Sequence, residues 1–133
     1  MRSTQNNDGG FPAFDKNKND GQYKFWSFVF WMTRIDKSAE IFDPSCPDIV
    51  GHVFEGMAEA DVTDIEVAVK AVEYLFSNRK DGMWSGRWGI NYVSAVGAVF
   101  PGLAKMGYDM REPWIAQIAK RLKEVQQKEG GFG

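Results

Sequence analysis

Within 133 residues one short pattern occurs three times, and no other feature limits the possible folds as much. Gln5-Asn6-Asn7-Asp8-Gly9-Gly10-Phe11 near the start matches Gln126-Gln127-Lys128-Glu129-Gly130-Gly131-Phe132 near the end. Each is Gln, three polar residues, Gly, one further residue and an aromatic. The middle copy, Arg79-Lys80-Asp81-Gly82-Met83-Trp84, has Arg where Gln stands and is one residue shorter before its Gly. It follows the run Lys70-Ala71-Val72-Glu73-Tyr74-Leu75. Glycine permits the turn, the aromatic packs on it, and a Gln amide can bond backbone groups left open at a helix end. Turns of this kind, repeated after helices, tie consecutive helices together as in a solenoid or a barrel.

The helical periodicity supports that picture. Ser45 and Asp48 have capping-pair spacing ahead of Ile49, Val50, Val53, Phe54 and Met57, which predicts a helix over 47–58. Thr63 and Glu66 repeat the spacing before Ile65, Ala68, Val69, Val72, Leu75 and Phe76, a helix over 64–79. Trp88 to Met106 is apolar with small residues at Ala95, Gly97 and Ala98, and Pro101 is expected to end or kink it. Asp109, Glu112 and Pro113 then mark the start of a helix over 112–128. No β-alternation of any length is present, so the class is all-α.

Composition removes several functions. The charge of −2 leaves no cationic surplus for a general nucleic-acid binder. Cys46 is the only cysteine and His52 the only histidine, so no disulfide and no cysteine metal cage can form, and no metal site is expected. The polar start, residues 1–24, has no apolar stretch resembling a secretory signal. Asp15–Gly21 hints at a calcium loop, but Asp20 stands where the loop needs Gly and no Glu closes it. Phe25–Met32 (FWSFVFWM) is too short to span a membrane and is predicted to be a buried element or an aromatic wall; Lys24 and Arg34 at its ends would suit an interface. Aromatic residues make up 14% of the chain, an excess that asks for a use.

The repeat resembles the QW motif of the triterpene cyclases, in which a basic residue, a small residue and an aromatic–Leu pair precede Gln, Gly and Trp. Asp81-Gly82-Met83-Trp84-Ser85-Gly86-Arg87-Trp88-Gly89-Ile90-Asn91-Tyr92 is similar to the DGSW-x-GRWG-x-NY block of that family. Gly10-Phe11-Pro12-Ala13-Phe14-Asp15 resembles its GGW-x-AFD segment. The stretch from Asp43 to Glu55 resembles the DP-x3-DVT-x-HVLE stretch of squalene–hopene cyclases. The likeness covers nearly the whole chain except Asp20–Glu40.

The resemblance implies a single partial domain over 1–133, part of an (α/α) barrel of the terpenoid cyclase and prenyltransferase type. Residues 15–46 would be a loop and aromatic connector, and 47–133 helical repeats. It implies cyclisation of squalene or a related polyprenoid, begun by a carboxylic acid and carried through carbocations that aromatic faces stabilise, with no cofactor. By the same match, His52 would hydrogen-bond the catalytic acid, Asp48 would support it in one network, and Trp88 and Phe14 would line the cavity. Asp48 and His52 are four residues apart and so share a helix face, where a carboxylate would hold the imidazole oriented and partly charged.

Some family features are missing. Ser94 stands where many members carry a second Tyr, and Phe11 and Phe132 replace Trp in two repeats. No Asp-x-Asp-Asp acid motif is present. The chain is therefore expected to be an internal fragment of the catalytic domain, inactive and unstable alone, needing the rest of a cyclase to complete its fold. Peripheral contact with a membrane on the cytoplasmic side follows from the same likeness. The alternatives are another triterpene or terpene cyclase, a non-catalytic α-toroid interaction module, or a decayed paralogue.

Overall fold

Four helices account for most of the residues that the computed structural model describes, namely 2–13, 43–80, 82–86 and 92–132. They are α1 (Pro47–Glu59), α2 (Ile65–Ser77), α3 (Tyr92–Lys105) and α4 (Pro113–Val125). Each falls within three residues of its predicted span, except that α3 begins at Tyr92; residues 87–91 lie outside the described set, as does all of the predicted connector before Asp43. Phe25–Met32 and Asp15–Gly21 fall there too.

The helix starts differ from the sequence expectation. Ser45 does not cap α1. The N-cap is Cys46, in extended backbone and without a side-chain cap bond, and Pro47 follows it. Proline has no N–H, so one of the donors a cap would satisfy is already gone. Ser45 is used elsewhere: its hydroxyl donates to Asp8 Oδ1 at 2.7 Å and accepts from Asn6 Nδ2 at 2.8 Å. For α2 the cap is Asp64, one residue beyond Thr63, accepting from the Val67 N–H. Glu66 pairs instead with Arg2 and Lys70. Asp109 likewise engages Arg111, and Glu112 occupies the N-cap of α4 without a side-chain bond.

Pro101 lies inside α3 without ending it. The helix runs one more turn and closes at Gly107, whose φ is +79°. There the Tyr108 N–H bonds Leu103 O and the Gly107 N–H bonds Ala104 O, the paired closure that favours glycine. Helix α1 ends the same way, with Asp61 taking the left-handed position at φ 51°.

The core forms where α1 and α3 cross. Val50, Phe54 and Met57 of α1 meet Ala95, Val99 and Leu103 of α3, all nearly solvent-free, and α2 adds Val67, Ala71 and Leu75. Thus the two helices that follow a repeat turn pair with each other, and α2, which precedes one, is laid against them. Trp84 is 1% exposed and donates Nε1–H to Leu75 O at 2.7 Å. Trp114 of α4 packs edge-on against it with centroids 5.8 Å apart, and also touches Phe76, Phe100 and Tyr108.

The repeat turns have a common geometry. In the first copy Asn6 N–H bonds Gly10 O, Gly9 N–H bonds Asn6 O, and Gln5 Nε2 donates to Gly9 O. In the last, Gln127 N–H bonds Gly131 O, Gly130 N–H bonds Gln127 O, and Gln126 Nε2 donates to Gly130 O. The shorter middle copy closes with the reciprocal pair Lys80–Met83. Gly9, Gly82 and Gly130 all have φ between +80° and +92°, which is the conformation each turn requires.

Candidate functional site

The first repeat turn sets where α1 begins. Cys46 N–H bonds Phe11 O at 3.0 Å, and the buried Asp43 carboxylate accepts from Ala13 N–H at 3.0 Å. From α2, the Tyr74 hydroxyl donates to Ser45 O at 2.5 Å. Burial, with the carboxylates of Asp8 and Asp48 and the Cys46 thiol nearby, pushes the Tyr74 phenol well above its ordinary value. The segment ahead of α1 is therefore held from both sides.

Asp48 lies in the first turn of α1 and is buried, at 7% exposure. Its Oδ1 accepts from Ile49 N–H at 3.1 Å. Gly86 packs beside it: a methyl group there would stand 3.4 Å from Asp48 Oδ2 and 2.6 Å from Ser94 Oγ. A side chain there would require Ser94 to turn its hydroxyl away, so the segment after Trp84 runs close past the start of α1.

One turn further along α1, the His52 side chain is 66% exposed. Its Nδ1 lies 3.3 Å from Glu55 Oε2. Glu55 also meets Lys105 of α3 at 3.2 Å, and Lys105 bonds Glu59 at 2.8 Å. The ammonium of Lys105 holds the Glu55 carboxyl below its ordinary value, and His52 adds to the effect.

The structure thus puts the Asp48 carboxylate inside and the His52 imidazole outside, on successive turns. Trp88 and Phe14 lie outside the described residues. Sequence reasoning did not single out Glu55, Lys105 or Tyr74. The three-residue spacing of Glu55 from His52 was an available signal. Nothing local marks Lys105 or Tyr74, because their partners are brought to them by helix crossing.

An open cavity of about 420 Å³ lies among α1, α2 and the end of α3, lined by Phe54, Val69, Val72, Leu103, Met106 and Tyr108 among others. Ile65 on its rim is 72% exposed. Among the described residues there is no group of three or more His, Cys, Asp or Glu side chains that could hold a metal ion. Nor is any described helix long and apolar enough to cross a membrane.

Residues 1–133 match the family model described as the squalene–hopene cyclase C-terminal domain. The chain is 50% identical over 101 residues to the squalene-tetrahymanol cyclase of Tetrahymena thermophila, covering 73% of this chain and 15% of that protein. It is 34% identical over 105 residues to the squalene–hopene cyclase of Alicyclobacillus acidocaldarius, 77% of this chain and 16% of that one. A third relative, the sporulenol synthase of Bacillus subtilis, is 34% identical over 114 residues, 82% of this chain and 17% of the synthase. The chain spans less than a fifth of the length of these relatives. No solved structure matches it significantly.

Proposed function

The chain belongs to the squalene–hopene cyclase C-terminal domain family, and from that membership we propose that it forms part of a cavity where squalene or a related polyprenoid is cyclised to a pentacyclic triterpene of the hopene or hopanol type. The observation that carries this is the start of α1, where a buried carboxylate at Asp48 lies one turn below an outward imidazole at His52.

Protonating an unactivated double bond demands a strong acid. An imidazolium hydrogen-bonded to a carboxylic acid stabilises the carboxylate left after the proton departs, and so raises the acidity. His52 takes that part, and Asp48 supports it. The chain carries no Asp-x-Asp-Asp motif, so the acid comes from outside this segment. Trp88 and Phe14 face the migrating cations, whose charge their π faces attract without offering a base that would end the reaction early.

In this proposal the described helices form one part of an α-toroid, and the rest of the cyclase covers exposed apolar residues such as Ile65 and Val69. The 133 residues alone do not turn over squalene. A lipid substrate favours an enzyme that works against a membrane surface, here on the cytoplasmic side. The test replaces the corresponding segment of the Alicyclobacillus enzyme with this chain and follows squalene conversion by gas chromatography. The chimera is expected to make a pentacyclic product, and His52→Asn to lower its rate by about 10²-fold or more. A folded chimera whose rate is unchanged by His52→Asn would remove His52 from the mechanism.

A further inference from the structure

The carboxylate that holds His52 in this structure is Glu55. Its Oε2 lies 3.3 Å from His52 Nδ1, while its Oε1 lies 3.2 Å from Lys105 Nζ. Glu55 is the less exposed partner, 27% against 66% for His52, and it is anchored across the α1–α3 crossing by Lys105. One ring nitrogen of His52, Nδ1, is thereby occupied, on a ring that is itself exposed.

We propose that Glu55 is a positioning residue for His52: it fixes the imidazole through Nδ1 so that Nε2 is presented to the catalytic acid, and Lys105 sets how strongly it does so. This rests on the assignment of His52 as the acid's partner. A carboxylate on one nitrogen of a histidine selects the tautomer and favours the protonated ring. Four charged groups lie on the two helix segments next to His52, and of these Glu55 alone is in contact with the ring. Asp48 lies one turn before it on α1, Glu55 and Glu59 follow it, and Lys105 reaches across from α3. Lys105 is the only cation among them, and it is shared between Glu55 and Glu59.

This arrangement makes two variants act in opposite directions, which loss of packing does not. In the chimeric cyclase, the alkaline limb of kcat/KM reports loss of the His52 proton. Glu55→Gln removes the anion that favours imidazolium, so the limb moves to lower pH. Lys105→Met removes a competing cation, so the limb moves to higher pH. Each shift is expected at about 0.3–0.7 pH unit, the range for partly exposed pairs. The two side chains lie on different helices, so a folding defect in one variant leaves the other to decide. Limbs that stay put, or move in the same direction, overturn the role of Glu55. His52→Asn separates the two levels. If it leaves the alkaline limb in place, the assignment of His52 itself is wrong. If it removes the limb while Glu55→Gln leaves it unmoved, only the positioning role fails.

Discussion

Gly51 of α1 and Gly102 of α3 are in backbone contact: a Cβ built on Gly102 would collide with the Gly51 carbonyl oxygen, and one on Gly51 with the Ala98 carbonyl. This crossing holds the Asp48–His52 helix against α3, and so fixes the distance from Glu55 to Lys105.

Adding one methyl group at either glycine forces the helices apart. Gly102→Ala or Gly51→Ala is expected to cost about 2–4 kcal/mol, because both obstacles are backbone atoms that cannot rotate away. Gly97 is the control. It lies in the same helix as Gly102 with nothing near its Cβ position, so Gly97→Ala is expected to stabilise by about 0.5–1 kcal/mol through helix propensity. Thermal midpoints of the chimeric cyclase, ranked Gly97→Ala, parent, Gly102→Ala, check the assignment. A Gly102→Ala midpoint equal to the parent's would mean that the crossing is looser than described.

The two matching repeat turns are not equivalent in energy. Gln5 is buried at 8% exposure and its amide bonds both Gly9 O and Val67 O, joining the turn to α2. Gln126 is exposed and bonds only Gly130 O in its own turn. Gln5→Ala removes two bonds at a buried position and is expected to cost about 2–3 kcal/mol, whereas Gln126→Ala costs about 0.5 kcal/mol. Urea midpoints of the two variants distinguish these values; equal losses would show that the bond to Val67 contributes nothing.

How much of this was legible beforehand depends on the range of each interaction. The three turns, the four helices and the class follow from spacing within a few residues, and the structure agrees on all three. The caps were misplaced by one residue at Thr63 and Ser45 because Arg2, Asn6 and Asp8, distant in sequence, take up the side chains that local spacing assigned to capping. Pro101 was expected to end or kink its helix, yet only one backbone bond is lost there and Gly107 supplies the stop. At the site, the spacing of Asp48 and His52 led to the expectation of a shared helix face with the carboxylate holding the imidazole. It could not foretell that one would be buried and the other exposed, since that depends on where Gly86 and α3 pack. Lys105 is separated from Glu55 by fifty positions and a helix crossing, so no sequence signal joins them.

Acid should weaken the junction between the first turn and α2. Arg2 bonds Asp64 and Glu66, and these contacts, with the Lys70 bond to Glu66, hold both carboxyls below their ordinary values. A carboxyl depressed in the folded state contributes stability that is complete above its unfolded value and is lost as pH falls through the folded one. Stability is therefore expected to be flat from neutral pH down to about 5 and to decline below about 4. Arg2→Gln should reduce that decline while leaving the α1–α3 crossing intact. A pH series of urea midpoints for parent and variant measures it, and superimposable curves would assign the acid loss to other carboxyls. The pairs are exposed, so added salt should shrink the difference between the two curves.

Tyr74 makes the opposite prediction at the alkaline end. Its hydroxyl donates to Ser45 O just ahead of α1, and burial raises its pKa above the ordinary 10.0. A phenol whose folded value is raised contributes stability that is fully present below the unfolded value and is lost as pH climbs above it. A phenolate cannot donate to a carbonyl, and in that setting it would be a buried charge beside Asp8 and Asp48. The folded chain therefore resists ionising Tyr74, and the phenolate absorbance of this residue should rise only together with loss of helical circular dichroism. Tyr74→Phe removes the donor and leaves Ser45 O unpaired, at an expected cost of about 1–2 kcal/mol near neutral pH. It also removes this source of alkaline sensitivity, so the parent's advantage over the variant should narrow above pH 10. An advantage that stays constant through that range would mean that the hydroxyl is solvated and does not clamp the start of α1.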